Sequence, residues 1–173
     1  MRRVLGLLLA IMIVASCSNS SGDDNAGETT EPRATRPPGS PEFARGRVLI
    51  DTDGNSVLID VDVAETDEQR AFGLMGRESL PDDEGMIFVF FEDSNSGFHM
   101  RNTLIPLSIA FFDLEGEILT ILDMEPCDAA DDEVCPTYDP GVTYRGALEV
   151  NQGAFERWEV EVGDKVNPLP RSK

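Results

Sequence analysis

The chain has 173 residues, of which 40% are hydrophobic, and 33 acidic side chains against 14 basic ones leave a formal net charge of −19. A surface this acidic repels nucleic-acid phosphates and anionic lipid headgroups, so nucleic acid is excluded as a partner. The charge supports solubility, salt tolerance or cation association equally well and selects none of them.

In chain order, Arg2 and Arg3 precede an apolar run over residues 4–15. A spanning helix needs about 20 residues, whereas a signal-peptide core needs roughly 7–15. Val14-Ala15-Ser16-Cys17 follows directly and has the form of a lipobox. Small residues suit a peptidase cleft, and the Cys17 thiol would take diacylglycerol before cleavage. Residues 1–16 are therefore read as a lipoprotein signal peptide, and Cys17 as the lipidated first residue of an extracytoplasmic, membrane-anchored product. Acyl chains contribute about 0.8 kcal/mol per buried methylene, so several of them hold a domain at a membrane without a spanning segment. Loss of residues 1–16 removes two of the 14 basic residues and no acid, taking the net charge from −19 to about −21.

Residues 17–46 are rich in Ser, Gly, Asp, Asn, Glu, Thr and Pro, with Pro37-Pro38-Gly39-Ser40-Pro41 near their end. Such a stretch buries too little apolar surface to offset its ordering entropy and reads as a disordered tether. A flexible coil of about 28 residues would hold its domain on the order of 30 Å from the anchor. Residues 47–173 form the folded block, short enough for one core.

In that block Val57, Ile59, Val61 and Val63 alternate with Leu58, Asp60 and Asp62, the period of a half-buried strand. The strand before it, over 48–51, pairs with it across Thr52-Asp53-Gly54-Asn55, since Asp-Gly tolerates positive φ. Thr66-Asp67-Glu68-Gln69 reads as a capping box that opens a short helix closed by Gly73 and Gly76. Further strands are expected over 86–91, 98–100, 106–112, 118–122, 147–150 and 158–162, from their β-branched and aromatic content. The expected fold is mainly β: a compact antiparallel barrel or sandwich in a single domain, with one or two short helices.

Cys127 and Cys135 remain once Cys17 is acylated, and an oxidising address makes a disulfide between them the expectation. Their spacing is not Cys-x-x-Cys and no histidine accompanies them, which argues against a redox or metal-binding dithiol.

Gly73-Leu74-Met75-Gly76-Arg77, Gly85-Met86-Ile87-Phe88, residues Phe98 to Leu107 (FHMRNTLIPL), and Ala147-Leu148-Glu149-Val150 with Gly153 follow one another along the chain. They resemble, in order and spacing over residues 56–166, the signatures of domain-of-unknown-function family 192, also called uncharacterised protein family 0127. The resemblance implies a small β-rich, barrel-like domain with a helix near its start and implies no activity. Two positions depart from the family's habit: His99 stands where tryptophan is common, and Ser108 where aspartate is common.

Met86, Phe98 and Met100 read as core. Arg77, Arg101, Asn102, Thr103 and Glu149 are polar residues flanked by apolar runs, which packing alone does not require. Two converging arginines would make a cationic spot suited to a small polar or anionic ligand. The competing structural reading pairs Glu149 with one arginine and lets Asn102 and Thr103 cap a turn. With a single histidine, a Ser-His-Asp or histidine-metal site would rest on His99 alone. The favoured reading is thus a monomeric, non-catalytic accessory module of the cell envelope that binds a small ligand or a partner, without a cofactor. The alternative is an envelope enzyme, such as a glycan hydrolase using Glu149 with an aspartate; it requires two carboxylates roughly 5–10 Å apart across a cleft.

Two metal readings are weaker. Asp123, Asp128, Asp131, Asp132, Glu133 and Asp139 offer hard oxygen ligands for calcium but lack EF-hand spacing. His99 with Met75, Met86 and Met100 offers soft ligands for cuprous copper, but neighbours on a strand point to opposite faces.

Overall fold

The computed structural model describes residues 36–127 and 135–170. Strand β1 (Ala44–Asp51) and strand β2 (Ser56–Ala64) form the expected hairpin, in register from Asp51↔Ser56 to Ala44↔Val63. Gly54 takes φ +129° in the turn, a conformation that glycine reaches without strain. Helix α1 (Asp67–Phe72) begins with the capping box: the Thr66 hydroxyl accepts from the Gln69 N–H, and the Gln69 side chain accepts from the Thr66 N–H. Gly73, at φ +53°, ends it.

The helix carries the chain over to β3 (Glu84–Ser94), which pairs parallel with β2; a parallel neighbour needs such a crossover. The other pairs in the sheet are antiparallel. β4 (Phe98–His99) and β7 (Thr137–Tyr138) form a separate two-stranded patch. β5 (Leu107–Phe112), β6 (Ile118–Met124), β8 (Tyr144–Asn151) and β9 (Lys165–Leu169) complete a seven-stranded sheet of order β6-β5-β8-β3-β2-β1-β9. It curls into a half-barrel, mainly β with two short helices in one domain.

The two edges meet at one end. The Val166 N–H donates to the Gly116 carbonyl at 2.8 Å, and the Ile118 N–H to the Asp164 carbonyl at 2.8 Å. A side chain on Gly116 would lie 2.3 Å from the Val166 carbonyl oxygen, so glycine is what lets the edges touch.

Alternation along each strand splits the core in two. Val48, Ile50, Ile59, Val61, Ile87, Leu148, Val150 and Val166 fill one face of the sheet, where Phe155 and Val160 join them. Met86, Phe88, Leu107, Ile109, Phe111 and Ala147 lie on the other face, under Leu74, Leu80, Met100 and Tyr144.

Two expectations are corrected. Residues 158–162 are not a strand. Helix α2 (Ala154–Arg157) ends at Trp158, whose N–H donates to the Ala154 carbonyl, and Glu159 turns the chain at φ +58°. The apolar side chains there pack in the turns of a plug: the Val160 N–H returns to the Phe155 carbonyl at 2.9 Å. The last strand is instead β9, which accepts Pro168 because it lies at a sheet edge.

The second correction concerns the end of the expected tether. β1 starts at Ala44, Phe43 is buried, and the Gln69 amide donates to the Glu42 carbonyl. Pro37 lies so close to Gly76 that a Cβ there would be 2.9 Å from its ring. Residues 36–43 therefore lie against the domain, because Arg36 finds a buried carboxylate there. Cys17 and the rest of residues 17–35 lie outside the described residues.

Candidate functional site

The register sets one row of side chains across the sheet: Asp62 opposite Met86, Met86 opposite Glu149, and Glu149 opposite Ile109. All four are buried, so the row holds two carboxylates in an otherwise apolar layer.

Asp62 is fully buried and surrounded by arginines. Arg45 Nη1 donates to its Oδ1 at 2.8 Å and Arg36 Nε to its Oδ2 at 3.2 Å, while Arg77, itself 3% exposed, donates to Oδ2. Arg45 also reaches Glu84 at 3.0 Å. Burial pushes the Asp62 carboxyl up, but the hydrogen bonds from Arg45, Arg36 and Arg77, with the charge of Arg77, outweigh it and hold the group below its ordinary range.

Glu149 is 5% exposed, and no hydrogen bond to its carboxylate comes from the described residues. Its side chain lines a cavity of about 170 Å³ on the helix-covered face. Phe72, Phe88, Phe90, Phe98 and Tyr144 supply aromatic wall, and Thr103 and His99 add polar groups. Ala71, Ser96 and His99 are exposed and mark the mouth. The aromatic wall is ordered by edge-to-face packing, Phe88 on Phe98 at 5.0 Å and Phe90 on Tyr144 at 5.2 Å. The Tyr144 hydroxyl is committed to the Ser96 carbonyl at 2.7 Å. Desolvation raises the Glu149 carboxyl to about 8, with the charge of Arg77 as the weaker opposing influence. The carboxyl is thus mostly protonated at neutral pH.

Of the residues singled out in the sequence, Thr103 and Glu149 line this cavity. Arg77, Arg101 and Asn102 do not line it. Arg77 is committed to Asp62 rather than to Glu149, so the expected pairing of Glu149 with an arginine is not made, and Arg77 does not offer a free cationic spot. Asn102 adopts φ +53°, its carbonyl accepts from Gly76 at 2.8 Å, and the Thr103 N–H closes a turn to the Met100 carbonyl. Arg101 forms a bridge with Cys127, which a disulfide joins to Cys135.

Sequence reasoning missed Asp62, Arg36, Arg45, Glu84 and the aromatic wall. Asp62 was read as a solvent-facing alternation position, and only the return of the 74–80 loop and the 36–43 segment buries it. No local sequence signal marks it, because its arginine partners come from segments distant along the chain. Ser108, where family members commonly carry aspartate, is buried and donates to Asp123 across the β5–β6 pair while accepting from the Gly153 N–H at 2.9 Å.

Among the described residues Glu149 is the one carboxylate that lines the cavity, and no second one faces it there as a glycan hydrolase requires. Among the described residues no group of three or more His, Cys, Asp or Glu side chains is placed to hold a metal ion. Most of the acidic loop considered for calcium, 128–134, lies outside the described residues. Of the soft ligands considered for copper, Met75 and His99 line the cavity while Met86 and Met100 are packed in the core.

Comparison with known proteins gives a family and no reaction. The model of DUF192, described as an uncharacterized ACR, matches residues 48–168. A solved structure described as a "putative transcription regulator" from Sinorhizobium meliloti 1021 is similar at 30% identity and a TM-score of 0.67, covering 75% of this chain and 98% of that one. A protein of unknown function from Novosphingobium aromaticivorans DSM 12444 is similar at 30% identity and a TM-score of 0.66, covering 78% of this chain and 91% of that one. No curated protein matches the chain.

Proposed function

Because the chain belongs to the DUF192 family, which supplies a fold and no chemistry, we propose its function from the cavity: a non-catalytic small-ligand-binding module, carried on an envelope lipoprotein anchored through Cys17. The observation that carries this reading is Glu149, a buried carboxyl without a hydrogen bond from the described residues, facing an aromatic cavity with an exposed mouth. A ligand donor seated in the cavity would supply the hydrogen bond that the described residues do not give this carboxyl. Concave, mostly aromatic sites with a few polar groups are the usual form of a ligand pocket. The name attached to the Sinorhizobium relative is not carried over, since a net charge of −19 opposes DNA.

The cavity is tested by thermal-shift screening of small molecules against the protein and against Ala71→Trp, which places an indole at the mouth. Ligands of the cavity raise the melting temperature of the first and not of the second; a screen in which every stabilising compound acts equally on both overturns the reading. The anchor is tested by labelling with a radioactive fatty acid. Label retained by Cys17→Ser would refute acylation there.

A further inference from the structure

We infer that the ligand of this cavity is a small organic cation, an ammonium on an apolar body about the size of one six-membered ring, with Glu149 as its counter-ion. The inference rests on the reading of the cavity as a binding site and adds the chemical class.

Size comes first. A cavity of about 150 Å³ takes a benzene-sized molecule, and this one is about 170 Å³. The wall then narrows the chemistry. Faces of phenylalanine and tyrosine attract cations through the ring quadrupole. One internal example already sits in this lining: the Arg70 guanidinium lies 5.1 Å from the centre of the Phe90 ring while donating to the Glu65 and Val89 carbonyls. Glu149 adds the one carboxylate that the described residues give the lining, and a carboxylate that receives no hydrogen bond from them is satisfied by a donor cation better than by any acceptor. Finally, the whole-molecule charge of −19 attracts cations to the protein and repels anions. The anion-binding alternative loses its anchor because Arg77 is held by Asp62, and Arg70, the arginine of the lining, is paired with Asp67 and donates to the Glu65 and Val89 carbonyls.

Among the described residues the charged and titratable groups around Glu149 are few. Arg77, from the loop after α1, bears on it by charge. Asp62 on β2 stands in the same row beyond Met86 and neutralises Arg77. Arg70 on α1, His99 on β4 and Tyr144 on β8 line the same cavity, while β3 and β5 present Met86 and Ile109. With its carboxyl titrating at about 8, Glu149 must lose its proton to pair with an ammonium, so cation binding at pH 7 releases a proton. A neutral ligand that accepts from the protonated carboxyl has the opposite pH dependence.

The test is calorimetric titration of the intact protein with three probes of one shape: cyclohexylammonium, cyclohexanol and cyclohexanecarboxylate. Cyclohexylammonium is expected to bind tightest. Its affinity should rise about tenfold or more between pH 6.5 and 8.5, and Glu149→Gln should remove that rise and weaken binding at pH 8.5 by about tenfold. Cyclohexanol or the carboxylate binding as tightly as the ammonium overturns the cation assignment and leaves the cavity reading standing. If none of the three binds, both fall. The probe series in the unmutated protein carries the decision even where the glutamine variant is poorly folded.

Discussion

Asp62 and Glu149 stand in one row of the sheet, on either side of Met86, and their carboxyls are driven in opposite directions. Asp62 receives arginine donors and stays ionised; Glu149 receives none from the described residues and keeps its proton to about pH 8. Arg77 is the link, bonded to the first and acting on the second by charge alone. The arrangement fixes one charge permanently as structure and leaves the other available to a ligand.

Asp62→Asn should destabilise the fold by roughly 3–5 kcal/mol, because it leaves Arg77 buried without its counter-charge. Denaturant unfolding at pH 7 measures this. Since the folded-state pKa of Asp62 is depressed, its stabilisation is present above the ordinary aspartate range and is lost as the pH falls through and below it.

The sign reverses at Glu149. A carboxyl that holds its proton to about 8 when folded, but ionises at ordinary acidity when unfolded, makes stability fall as pH rises between about 4.5 and 8, by at most roughly 1.4 kcal/mol per pH unit. Glu149→Gln should flatten that decline in melting curves recorded across the window.

Gly116→Ala should open the seam between β6 and β9, because the added Cβ would meet the Val166 carbonyl oxygen at 2.3 Å. The expected loss is roughly 1–3 kcal/mol beyond the left-handed strain. Gly163→Ala is the control: it has a positive φ of +100° with nothing within 4 Å of the new Cβ, and should be milder in the same denaturation assay.

Reduction of the Cys127–Cys135 disulfide frees a loop of sequence separation 8. It should lower stability by roughly 2–3 kcal/mol on the chain-entropy argument. Melting with and without a thiol reductant reads it directly, with Cys135→Ser as the second measurement.

What could be read in the chain beforehand was local. The β1–β2 hairpin and the start of α1 follow from Asp53-Gly54 and from Thr66 with Gln69, each acting over a few residues. Residues 158–162 misled because apolar content alone does not separate a strand from a helix end whose side chains pack against a sheet, and Glu159 at a positive φ carries no compositional warning. Glu149 stood out as an acid inside the apolar run of β8. Asp62 did not, since its burial comes from segments distant in sequence. The aromatic wall draws on α1, β3, β4 and β8 and exists only once the sheet has curled.

The central claim is that Glu149 is the receiving group of an open cavity, and carbon-13 NMR of its side-chain carboxyl tests that most directly. The account predicts a titration midpoint near 8 in the free protein, moving down when cyclohexylammonium is added. A midpoint near 4.5 that the probe leaves unchanged would contradict it.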